Sequence, residues 1–145
     1  MTGDQIYLLR KSFKRVERHK EVAALVFYRR LFELDPKLRP LFKGDIEEQS
    51  AKLIEMLALA LSLSERPEGL ETELRELGAR HATYGVRDEY YQTVGQAMLD
   101  MLANVLAEEL TPATQQAWTD FYAFMAATMM QGAARAAASR RSADF

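Results

Sequence analysis

Glycine and proline fall at wide intervals along this chain, and the stretches between them carry apolar residues at helical spacing. Alternating strand patterns are nearly absent. The chain therefore reads as all-α, in six to eight helices. One helical block runs to about Arg18, and a second is "EVAALVFYRRLFEL" (21–34). Asp35 and Pro36 then form a good helix start, with Asp35 as N-cap and Pro36 in the first turn. A short helix "PKLRPLF" follows, kept short by Pro40. Asp45 with Glu48 predicts a capping box for the long helix of residues 46–63. "SERPEG" interrupts, and "LETELRELGARHATYG" (70–85) ends at Gly85, a candidate left-handed C-cap. "RDEYYQTVGQAMLDMLANVLAEEL" follows, and Thr111-Pro112 opens the last helix. The second half suggests one long antiparallel helix pair. The broken first half is unlike a simple four-helix bundle.

A length of 145 residues predicts one domain with a core that needs no covalent staples. We expect that domain at 1–132. The alanine- and arginine-rich tail 133–145 is expected to be partly disordered. The net charge of −2 offers no bulk field for nucleic acid or an anionic membrane. The charged N-terminus and the lack of a long apolar run predict neither a secretory signal nor a membrane span. The expected location is the cytoplasm.

Cofactor chemistry is narrowed by ligand counting. The chain has two histidines and no cysteine, so disulfides, zinc ribbons and thiol catalysis are excluded. A bare zinc site needs about three or four side-chain ligands. A di-iron bundle needs Glu-x-x-His pairs, but the residues three before His81 and His19 are Gly78 and Val16. Haem differs, because the porphyrin brings four nitrogens and the protein need add one imidazole. His81, in "GARHATYGV" (78–86), is the candidate, although a single histidine on an apolar face is more often an ordinary packed ring. Leu77 shares its face, and Val86, Tyr91 and Val94 would continue an apolar wall. Gln49, Leu53 and Met56 share a face of the long middle helix. Gln49 is there either as a site residue or as a solvated first-turn side chain.

Three stretches together resemble the globin family, in particular single-domain bacterial globins and the haem domain of flavohaemoglobins. They are "FYRRLFELDPKLRPLF" (27–42), "QSAKLIEMLALAL" (49–61) and "LGARHATYGVRDEYYQTVGQAML" (77–99). The resemblance spans roughly residues 5–131. It implies a globin fold around a haem pocket, with haem b as cofactor and His81 as the axial iron ligand. It implies that Phe42 clamps the porphyrin and that Tyr28 and Gln49 face the bound gas. Leu53 would be the apolar contact one turn beyond, while Leu77, Val86, Tyr91 and Val94 line the histidine side. Lys52 either pairs with a haem propionate or is a solvated helix lysine. Trp118, Tyr122 and Met125 are read as core.

The function implied is reversible binding of oxygen, CO or NO, with high oxygen affinity from two distal donors. The alternative is nitric oxide dioxygenation with electrons from a separate reductase, which the 145 residues leave no room to include. A non-haem helical adaptor is the third reading. Flavohaemoglobins carry a glutamate on the last helix that polarises the proximal histidine. Here no acid occurs between Asp120 and Asp144, so a strongly polarised His81 and peroxidase-like chemistry are not expected. A monomer or weak homodimer is expected.

Overall fold

The computed structural model describes residues 1–42 and 44–143. Among these there are six α-helices and no strand: α1 (Gly3–Arg18), α2 (Lys20–Leu34), α3 (Ile46–Ser62), α4 (Pro67–Thr83), α5 (Tyr90–Leu106) and α6 (Pro112–Ala143). Two 3-10 helices, Pro36–Leu41 and Ala107–Glu109, join α2 to α3 and α5 to α6.

Local chemistry accounts for most of the boundaries. Thr2 and Gln5 form a reciprocal capping box at the start of α1. Pro36, Pro67 and Pro112 each occupy a first-turn position, where no backbone donor is lost to the helix. Asp35 caps its 3-10 helix through the Lys37 amide at 3.1 Å. Asp45 also caps, but it accepts from the Glu47 amide at 3.1 Å, one residue short of the Glu48 expected for a capping box. α4 begins at Pro67, three residues before the start expected from sequence, because Gly69 sits inside the first turn instead of breaking the chain.

α1 buries Leu9, Phe13 and Val16, spaced as one helical stripe. They meet a core that includes Trp118, Phe121, Met101 and Leu102, all essentially inaccessible. The indole of Trp118 donates to the Ser12 hydroxyl at 2.9 Å, so its one polar atom is satisfied.

The expected long antiparallel pair of α5 and α6 is not the principal packing. α6 packs most extensively on α4, and α5 on α2. Two glycines make the first contact close. A Cβ on Gly78 would overlap the backbone of Met129, and one on Gly132 would overlap the backbone of Arg75. Each helix thus presents a glycine to the other's main chain. α3 and α4, although consecutive, have no such extensive contact. The space between them opens into a cavity.

α6 continues without a break past residue 132. Of the tail 133–145, residues 133–143 are helical and 144–145 lie outside the described residues. No helix among the described residues is long and apolar enough to cross a membrane.

Candidate functional site

The cavity has a volume of about 650 Å³. That falls within the span of about 300–1,000 Å³ typical of cofactor and ligand sites. Every site residue named from sequence lines it: Tyr28, Phe42, Gln49, Lys52, Leu53, Leu77, His81, Val86, Tyr91 and Val94. They come from α2, the first 3-10 connection, α3, α4 and α5, and from the turn after α4. His19 lies on the exposed junction of α1 and α2, outside the cavity.

His81 sits in the last turn of α4. Its Nδ1 lies 3.0 Å from the carbonyl oxygen of Leu77, one helical turn earlier. A carbonyl can only accept, so Nδ1 carries the proton and Nε2 keeps its lone pair. Burial holds the imidazole below the ordinary histidine range. The Leu77 bond opposes that shift, and the neighbouring Arg80 charge adds to it. The ring is therefore neutral, with one nitrogen free to act as a metal donor.

The end of α4 fixes where this ring stands. Gly85 adopts φ +94°, a left-handed conformation that a side chain would strain. The Val86 amide donates to the His81 carbonyl at 3.1 Å, and the Gly85 amide to that of Ala82 at 3.1 Å. These two bonds make a Schellman cap. The expected C-cap role of Gly85 is thus observed, and the cap anchors the backbone of His81 itself.

The α2 wall is aromatic. Tyr28 is buried, with rings of Phe27 and Phe42 edge-on at 5.0 and 5.3 Å and that of Phe32 stacked at 6.1 Å. Its hydroxyl donates to the main-chain carbonyl of Gln49 at 3.0 Å. Burial pushes the phenol up to about 12. Tyr28 therefore stays protonated and holds the first turn of α3 against α2.

Lys52 is exposed at the rim, and Arg80 of α4 reaches the same cavity. The rim thus carries two cations, of which sequence reasoning named one. Met125 of α6 is in the buried core and Tyr122 packs against it, as expected, but both also line the cavity, which sequence reasoning did not foresee. The reason is tertiary: α6 packs on α4, so its face is turned toward His81. Trp118 is buried beside Ser12, outside the cavity, as expected. The signal for Tyr122 was the small residue Gly95, whose Cβ would lie 2.6 Å from the Tyr122 ring.

Among the described residues no group of three or more His, Cys, Asp or Glu side chains could hold a bare metal ion. One neutral imidazole in a large, mostly apolar cavity suits a planar group that brings its own metal and most of its ligands. The family model for Globin matches residues 25–129. The chain belongs to the globin family.

This globin is 30% identical to the neuroglobin of Dissostichus mawsoni, over 88% of this chain and 89% of that one. A solved engineered carbene transferase, made from a proposed nitric oxide dioxygenase of Rhodothermus marinus, superposes with a TM-score of 0.85. It shares 27% identity over 97% of this globin and 99% of its own chain. A bacterial globin of Campylobacter jejuni has a TM-score of 0.79 at 24% identity, over 92% and 97% of the two chains, and shows the same fold. Membership of this family implies haem and the binding of small gaseous ligands.

Proposed function

We propose that this globin holds haem b through His81 and reversibly binds oxygen, CO or NO. When bound, the haem supplies the iron at which a diatomic gas is held. The Leu77 carbonyl keeps Nδ1 protonated, so Nε2 of His81 is the donor. The Schellman cap at Gly85 holds the residue's backbone in place. Phe42 would pack on the ring, and Leu53, Leu77, Val86, Tyr91 and Val94 would exclude water. Lys52 would pair with a haem carboxylate at the rim. Tyr28 and Gln49 line the same cavity as His81, and hydrogen bonds from them to a bound gas would slow its release.

The observation that carries this reading is the neutral, oriented His81 in the cavity of about 650 Å³. Absorption spectra in ferric, ferrous and CO-bound forms test it. An intense Soret band shifted by CO is expected. His81→Ala should lose stable haem retention and His19→Ala should keep it. A colourless protein that haemin cannot reconstitute would sink the proposal and leave a non-haem helical adaptor.

The likeness to the Rhodothermus protein favours a second reading, oxidation of nitric oxide to nitrate: NO, O2 and one electron give NO3⁻. A separate reductase would supply the electron. Repeated turnover of nitric oxide with a reductase present would support it. One turnover followed by a stalled ferric state would restrict the protein to binding. The large exposed apolar residues are few, which supports a monomer or weak homodimer. The lack of cysteine and of a membrane-spanning helix among the described residues supports a cytoplasmic location.

A further inference from the structure

Arg39 is exposed and does not line the cavity, yet it holds both sides of the Phe42 main chain. Its Nη1 donates to the Phe42 carbonyl at 3.1 Å, and its own carbonyl accepts from the Phe42 amide at 3.1 Å. Its guanidinium also lies over the Phe32 ring, 5.3 Å from the centroid. Phe42 needs such a hold, because the 3-10 helix ends at Leu41 and leaves Phe42 beyond it at φ −97° and ψ 88°. Phe42 is the residue that would pack on the haem.

The spacing in sequence explains the contact. In a 3-10 helix, residues three apart stand on one edge, and Arg39 and Phe42 are so spaced at the end of Pro36–Leu41. Phe32 and Tyr28 are four apart on α2 and share a face. The three rings close a triangle. Phe32 and Phe42 meet edge-on at 5.5 Å, Phe42 and Tyr28 edge-on at 5.3 Å, and Tyr28 and Phe32 stack at 6.1 Å. Tyr28 is its buried corner, and Arg39 joins it from the exposed side. Only a planar guanidinium can lie on a ring face and donate from its edge at once.

We infer that Arg39 is a positioning residue: by clamping Phe42 and covering Phe32 it keeps the aromatic triangle closed, and so holds the Tyr28 phenol at the cavity wall. The inference rests on the haem reading above, with Tyr28 serving the bound gas. Arg39 touches neither the cavity nor Tyr28, so its influence must pass through the Phe32 and Phe42 rings. If Phe42 swings away, the Tyr28 ring loses an edge-on neighbour and its hydroxyl gains room to leave the position that meets a ligand. A surface arginine thereby sets how long a gas stays bound.

The test compares Arg39→Met, which keeps a long stem but removes the donor and the charge, with Lys37→Met at another exposed cation of the same turn. Hydrogen exchange reads the clamp, and stopped-flow displacement of oxygen by CO reads the phenol. Arg39→Met is expected to speed exchange at the Phe42 amide and to leave that of Leu102, in the core, unchanged. It is also expected to speed oxygen release roughly 2- to 5-fold. In a Tyr28→Phe background the same substitution should leave release unchanged, because no phenol remains to be held. Lys37→Met should change neither measure. Unchanged Phe42 exchange, or exchange raised as much at Leu102, would overturn the clamp. Release that Arg39→Met leaves unchanged, or speeds as much without the Tyr28 hydroxyl as with it, would overturn the link to Tyr28. A protein with no Soret band would overturn the haem reading and that link with it, while Phe42 exchange would still decide the clamp.

Discussion

Tyr28 and Gln49 are joined across the α2–α3 boundary: the phenol donates to the Gln49 main-chain carbonyl at 3.0 Å. A side chain expected to serve a bound gas is thus already spent on the backbone of the helix opposite. A ligand must compete with that carbonyl, or the hydroxyl must rotate toward it.

Replacing Tyr28 with Phe tests the competition. If the hydroxyl turns to the ligand, losing a bond of about 1–3 kcal/mol should speed oxygen dissociation roughly 5- to 150-fold. Stopped-flow displacement of oxygen by CO measures it. An unchanged rate would show that the hydroxyl serves only the Gln49 carbonyl.

Gly78 and Gly69 lie on the same helix and should respond oppositely to alanine. A Cβ at Gly78 meets the Met129 backbone, which cannot swing aside, while nothing lies within 4 Å of one at Gly69. Gly78→Ala should cost about 1–3 kcal/mol by overpacking, lowering Tm by roughly 2–12 °C. Gly69→Ala should gain up to about 1 kcal/mol. Thermal unfolding of both variants checks the pair.

Gly85→Ala forces a Cβ onto φ +94°. A cost of about 1–2 kcal/mol is expected. The loss should be local as well as global, because the Val86 amide that caps the His81 carbonyl becomes freer to exchange. Hydrogen exchange at Val86 that matched wild type would separate the cap from the strain.

Three phenols whose pKa is raised by burial set the alkaline limit. Tyr28 and Tyr91 are raised to about 12, and Tyr122 higher, from an ordinary value of 10, chiefly by burial. Between those values the unfolded chain has released protons that the folded chain retains. Stability is thus fully present below about pH 10 and falls as pH rises toward 12. A spectrophotometric titration should show these phenols ionising late, together with unfolding. Tyr28→Phe should flatten part of that decline.

Much of the helix map was legible because its determinants are local. Asp35 with Pro36, Thr111 with Pro112, and Gly85 act through their own backbone and neighbours within a turn. The error at α4 had the same scale: Gly69 read as a breaker, although a glycine in a first turn costs little once Pro67 starts the helix. The site residues drawn from sequence all reached one cavity: most lie on helices that line it, and Phe42 and Val86 come from the connections beside them.

Helix pairing was not legible in this way. The sequence by itself determined where helices begin and end, which faces are apolar, and that one histidine without thiols suits a cofactor bringing its own ligands. The tertiary structure decided that α6 lies on α4, through Gly78 against Met129 and Gly132 against Arg75. That contact brings Tyr122 and Met125 into the cavity wall and leaves α3 and α4 apart. It could not be read along the chain, because it depends on backbones more than 50 residues apart meeting where one of each pair is a glycine.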